Sequence, residues 1–131
     1  MLHNKLVGGF FMPKIHYTEF FQNKFNKTLK KYKKSQNRIQ EEINSTDSTD
    51  GDVIPGLRLG DELRLRKVRI RLPEYKTGKS RSLRFIFLFI QPKDTIVPVT
   101  IYKKGTYANE QKAIKEIKKS LKEALKEIGF Q

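Results

Sequence analysis

Leu83-Arg84-Phe85-Ile86-Phe87-Leu88-Phe89-Ile90 decides how the rest of the chain is read. The stretch is apolar at odd and even positions alike, with Arg84 its one charge. A strand without a solvated face belongs in the middle of a sheet. Upstream, Lys67-Val68-Arg69-Ile70-Arg71-Leu72 alternates basic and apolar residues, the two-residue period of a strand. Val68, Ile70 and Leu72 then share one face, and Lys67, Arg69 and Arg71 the other. Between Leu65 and Val68 the alternation slips at Arg66 and Lys67, which predicts a bulge there or a strand that starts there. Residues 73–80 carry Pro, Gly, Lys and Ser and turn the chain back, so the pairing is antiparallel. After Pro92 and Asp94 a third strand runs from Ile96 to Tyr102, in which Pro98 lacks a backbone donor and predicts an edge or a bulge.

Helical signals flank this core. Thr18 is placed as a cap, with Glu19 in the first turn, and Phe21, Phe25, Leu29 and Tyr32 form one stripe between solvated lysines. Ser35 is placed to cap a second helix through Ile39 and Ile43, giving an N-terminal helical hairpin. Phe20, Phe21 and Phe25 lie at helical spacing and read as core packing rather than as a base-stacking platform. At the C-terminal end Asn109 and Glu110 open a helix whose Ile114, Ile117, Leu121, Ala124, Leu125 and Ile128 share a face, and Gly129 is placed to stop it. A short strand at Ile15–Tyr17 precedes the hairpin. Residues 1–12 read as a loose N-terminal extension, with Met12 an alternative start, and residues 13–131 as a single domain. Residues 44–56 read as an exposed loop rich in Asn, Ser, Thr, Asp and Gly. The expected fold is α+β: a small antiparallel sheet packed by the N-terminal helical hairpin and the C-terminal helix, with the helices on one side.

Composition narrows the function. The 131 residues contain no cysteine and two histidines, so thiol chemistry, disulfides and the usual Cys and His zinc sites are excluded. The longest apolar run is far shorter than the roughly 20 residues of a membrane span, and no signal peptide is evident, so a soluble, cytoplasmic protein is expected. Twenty-eight Lys and Arg against fourteen Asp and Glu leave a net charge of +14, a field that attracts polyanions. Half of that excess lies in residues 58–84, where ten basic residues face three acidic ones. Lys67, Arg69 and Arg71 would project side by side at about 6 to 7 Å, near the phosphate spacing of an extended single strand. The solvated face of an antiparallel strand has the same pattern. Arg84, in an otherwise apolar strand, is either paired structurally or turned toward a ligand.

In order and spacing, Lys67-Val-Arg69-Ile-Arg71, Gly78-Lys79-Ser80, Arg84 followed by Phe85-Ile86-Phe87, Ile101-Tyr102-Lys103-Lys104 and the closing amphipathic helix resemble the RelE-like toxins of type II toxin-antitoxin systems. The resemblance spans residues 14–128. The chain departs from the family pattern at Arg81-Ser82-Leu83, where small glycines and an aromatic residue are frequent, and at Phe87, where Tyr is frequent; Tyr102 and Tyr107 are the alternative phenols. The resemblance implies a toxin that cleaves messenger RNA in the ribosomal A site and is neutralised by a cognate antitoxin. RNA carries its own nucleophile, the 2′-hydroxyl, so neither metal nor cofactor is required. Arg84 and Lys103 would stabilise charge developing on the phosphate, Arg69 would hold it, and Lys67 is the first choice as base if its amine is deprotonated. Arg71, Lys79, Arg81, Tyr102 and Lys104 are expected to contact RNA. The alternative is a non-catalytic basic module that binds RNA or the ribosome, or a ParE-like gyrase inhibitor.

Other motifs carry less. Gly78-Lys79-Ser80 matches only the end of a phosphate-binding loop, and a strand follows it where a helix should. Asp47, Asp50 and Asp52 lack the closing acid of a calcium loop and read as an acidic linker. His16 reads as a strand residue, and His3 lies in the extension.

Overall fold

The computed structural model describes residues 6–7, 10–11, 13–55, 57, 59–75 and 82–129. Its main sheet has five strands: β3 (Lys14–Ile15), β4 (Asp52–Val53), β5 (Leu63–Arg71), β6 (Ser82–Ile90) and β7 (Thr95–Lys103), in the spatial order β3-β7-β6-β5-β4. The strand expected to be central, β6, is the middle one. It pairs antiparallel with β5 and β7, whereas β3 runs parallel to β7 through Lys14 and Ile15. Among the described residues three α-helices complete the α+β fold: α1 (Glu19–Lys31), α2 (Gln36–Asn44) and α3 (Glu110–Glu127). Within residues 1–12, β1 (Leu6–Val7) and β2 (Phe10–Phe11) pair as a separate antiparallel ladder. Among the described residues no helix is long and apolar enough to cross a membrane.

The helices lie on both faces of the sheet, not on one. α1 and α2 bring Phe21, Phe25, Leu29, Ile39 and Ile43 against Ile70, Leu83, Phe85 and Phe87. α3 brings Ile117, Leu121 and Ala124 against Leu65, Ile86, Leu88, Val97 and Val99. Successive residues of β6 thus feed two separate cores, which is why that strand needs apolar side chains in both directions. Each large side chain fully buried there contributes about 1.5 to 3 kcal/mol. Phe20, expected in the core, is one of the exposed large hydrophobics, since it turns away from the stripe carrying Phe21 and Phe25.

The same two-faced burial explains the slip in β5. Register with β6 is unbroken from Leu63 opposite Ile90 to Arg71 opposite Ser82, so neither the expected bulge nor a late start occurs. Instead the apolar side changes along the strand. Leu65 lies on the face of Lys67, Arg69 and Arg71 and packs beneath α3, whereas Val68 and Ile70 pack on the α1–α2 side. The irregularity sits in β7. Phe87 is opposite Pro98 and Ile86 opposite Thr100, leaving Val99 as the inserted residue. Val97 and Tyr102, five residues apart, therefore share a face that strict alternation would deny them.

Local chemistry fixes the ends. Thr18 accepts from the Phe21 N–H at 3.1 Å, and Asn109 from the Lys112 N–H at 2.9 Å, as their cap positions require. Ser35 sits at the start of α2 but makes no cap bond; its hydroxyl donates to Glu74 at 2.7 Å, and Arg38 Nε reaches both oxygens of the same carboxylate at 3.0 Å. The carboxylate of Glu127, closing α3, accepts from the first N–H groups of α1, on Glu19 and Phe20, so the C-terminal helix caps the N-terminal one.

The segment 44–56 is not wholly an exposed loop. Asn44 ends α2, Asp52–Val53 adds strand β4 to the sheet edge, and Thr46 and Ile54 are buried. Arg66 holds it there: its guanidinium donates to the carbonyls of Thr49, Asp50 and Gly51 at 3.1, 2.8 and 2.7 Å. Gly51, at φ +71°, lies so close to β5 that a Cβ would stand 2.1 Å from the Lys67 carbonyl oxygen.

Candidate nucleic-acid interface

The face of the sheet beneath α3 has two unlike ends. Around Leu65, Leu88 and Val97 it is apolar and covered by the helix. Toward the other end the same face presents Lys67 and Arg69 from β5, Arg84 from β6, and Tyr102 followed by Lys104 from β7 and its exit. These side chains line a depression of about 360 Å³, closed by Tyr107, Asn109 and Glu110 at the start of α3 and by Asp52 on β4. Strand register brings them together. Arg69 is opposite Arg84, and Arg84 is opposite Tyr102, so the three lie in one row across the sheet. The Val99 insertion keeps Tyr102 in that row.

Arg84 is the buried member, 8% exposed. One guanidinium nitrogen donates to Ser82 Oγ at 2.8 Å. Among the described residues no carboxylate forms an ion pair with it, and burial, then the charge of Arg69, depress its pKa. A buried cation with a like charge opposite it leaves an electrostatic demand that an anion would satisfy. Tyr102 is held protonated by burial first and by Glu110 next, against the pull of Arg84. Tyr107, whose ring meets that of Tyr102 edge-on at 5.0 Å, is also raised, by burial and then by Glu116. Both phenols are therefore donors at neutral pH. Lys67 Nζ stands 3.9 Å from Glu110 Oε1 across the mouth of the depression.

Lys67, Arg69, Arg84, Tyr102 and Lys104 thus converge. Lys103 does not: it is opposite Leu83 and projects to the face covered by α1 and α2, so it cannot join Arg84 at one phosphate. Arg71 shares the face of Arg69 but stands at the strand end, exposed and outside the depression. Lys79 and Arg81, and the Gly78-Lys79-Ser80 motif, lie outside the described residues. Two further cations of this stretch are spent internally. Arg66 holds the loop before β4, and Arg64 donates to the carbonyls of Gly60, Asp61 and Leu63. Phe87 is fully buried against Phe85 on the opposite face, so a phenol at that position would not reach the depression.

Sequence reasoning missed Glu110, read only as a helix opener, and Asp52, read as linker. Both arrive through long-range pairing that carries no local signature. A larger depression of about 430 Å³, at the β4 end of the sheet, is lined mainly by Val53, Ile54, Leu57, Leu59, Leu63 and Leu65 and gathers no comparable set of charges. Among the described residues no group of three or more His, Cys, Asp or Glu is arranged to hold a metal ion. No protein-family model matches the chain, and no curated protein matches it in sequence.

Proposed function

We propose that the chain is a RelE-like toxin, a cytoplasmic endoribonuclease that cleaves messenger RNA held by the ribosome and is neutralised by a cognate antitoxin covering its cationic face. The observation that carries this reading is Arg84: a buried guanidinium with Arg69 opposite it and Lys67 and Tyr102 beside it, in a depression open to solvent. Such an arrangement is costly for the fold alone and becomes favourable when a phosphate enters.

The chemistry follows from what the groups can do. Arg69 and Arg84 offer forked donors to the non-bridging oxygens of one phosphate, where negative charge grows as the 2′-hydroxyl attacks. Lys67 and Lys104 add charge along the strand. Tyr102 offers a proton. The absence of Lys103 from this group favours one second reading, a module that binds RNA or the ribosome without cutting it, or a ParE-like gyrase inhibitor.

Tightly controlled expression of the wild type and of Arg84→Ala tests the proposal. Growth arrest with cleaved message is expected for the wild type only, unaffected by chelator in a purified assay. Equal growth with intact message in both would overturn it, and salt-dependent binding without product would establish the second reading.

A further inference from the structure

Cleavage through the 2′-hydroxyl needs a group that takes its proton, and the depression is well supplied with donors and poor in acceptors. Lysine and arginine side chains carry donors only, and the two phenols keep their protons. Among the described residues no histidine lines the site. The acceptors left among its described side chains, apart from the Asn109 amide already capping α3, are two carboxylates, Asp52 and Glu110.

Glu110 is the better placed of the two. It sits in the first turn of α3, next to the Asn109 cap, so the start of a helix fixes its backbone. Its carboxylate stands between the elements: one oxygen is 3.9 Å from Lys67 on β5, and its charge is felt by Tyr102 on β7, the residue opposite Arg84. Being 70% exposed, it is also open to an incoming strand. Asp52 lies on β4 beside Lys67, at the far edge from Tyr102.

We propose that Glu110 is the proton acceptor of the reaction and Tyr102 the donor, an assignment that rests on the endoribonuclease reading above. The Glu110 carboxylate takes the proton of the 2′-hydroxyl as the 2′-oxygen bonds to phosphorus. The bond from phosphorus to the 5′-oxygen breaks, and that oxygen leaves with the phenolic proton of Tyr102. The products are a 2′,3′-cyclic phosphate and a 5′-hydroxyl, and return of the proton from Glu110 to Tyr102 restores the protein. No oxidant, water or metal enters the balance. Lys67 then holds the carboxylate and the phosphate together instead of acting as the base.

The test compares wild type, Glu110→Gln and Glu110→Asp in cleavage of free and ribosome-bound RNA, with Glu123→Gln, an exposed change elsewhere on α3, as control. Binding is measured separately on the same oligonucleotide with a 2′-deoxy sugar at the cut site. Glu110→Gln is expected to cut about 100-fold more slowly or worse, to bind at least as tightly as wild type, and to lose the acid limb of the rate profile. Glu110→Asp keeps that limb at reduced rate, and Glu123→Gln matches wild type throughout. Cleavage by Glu110→Gln within threefold of wild type would overturn the assignment while leaving the nuclease reading intact. So would a joint loss of cleavage and binding with the acid limb retained. A wild type that leaves both RNAs whole would overturn the nuclease reading itself, and the role of Glu110 with it.

Discussion

Arg69 and Arg84 stand directly opposite each other on β5 and β6, with neither in ion-pair contact with a carboxylate among the described residues. Like charges at directly opposed positions destabilise a sheet, and Arg84 is buried as well. Set against that cost, among the described residues, is the hydrogen bond from Arg84 to Ser82 Oγ at 2.8 Å.

Replacing Arg84 by Met should therefore make the protein more stable while abolishing the RNA cleavage proposed for it. Methionine fills much of the same volume and removes the buried charge, although Ser82 loses its partner. A net gain of about 1 kcal/mol is expected, read from urea denaturation. A loss of stability would mean that the guanidinium is structural.

Binding of single-stranded RNA should weaken with salt, and Arg69→Ala and Arg84→Ala should each flatten the dependence. Each lost phosphate contact removes about 0.7 from the slope of log affinity against log salt concentration. Lys103→Ala, on the far face, should leave the slope of wild type. Fluorescence anisotropy across a salt series separates these outcomes.

Gly51→Ala and Gly60→Ala should differ in cost. Both glycines have positive φ, +71° and +85°, but a Cβ at Gly60 meets nothing within 4 Å, whereas at Gly51 it meets the backbone of Lys67 at 2.1 Å. The Gly60 variant is expected to lose about 1 to 2 kcal/mol. The Gly51 variant loses more, since β4 must move off β5, and its displaced Asp52 changes the rim of the depression. Chemical denaturation of both variants gives the comparison.

Acid should weaken the fold partly through Glu74. Its carboxyl is held below the ordinary range, chiefly by the hydrogen bond from Arg38 and next by that from Ser35. A depressed carboxyl contributes fully above its unfolded value, about 4.3, and the contribution disappears as pH falls through the folded value. Glu74→Gln should therefore be less stable than wild type at neutral pH, the gap closing below about pH 4.3. Melting temperatures measured across that range provide the check.

What was legible in the sequence was what neighbours along the chain decide. Thr18 and Asn109 cap as read, because a cap bonds to a residue three positions on. The apolar run of β6 placed it centrally, because no other position satisfies apolar side chains in both directions. What failed depended on partners far away. Arg66 belongs to the basic stretch by sequence and to the carbonyls of residues 49–51 by structure. Ser35 had a cap position, but its side chain accepts no cap bond and its hydroxyl donates to Glu74. Lys103 and Lys104 are equivalent in composition, and only the register with Leu83 and Arg84 separates them. Glu110 was visible as a helix opener and Lys67 as a strand cation, but their approach to each other was not.

The extra residue in β7 also bears on how this protein can tolerate gain and loss of sequence. In a strand buried on both faces, adding or removing one residue normally turns everything downstream inside out. With Pro98 opposite Phe87 and Thr100 opposite Ile86, excising Val99 would close the ladder with Val97 and Tyr102 keeping their orientations, at the cost of a fully buried side chain beneath α3. The register of the strand, unlike the core it feeds, has room for the loss of that one unit.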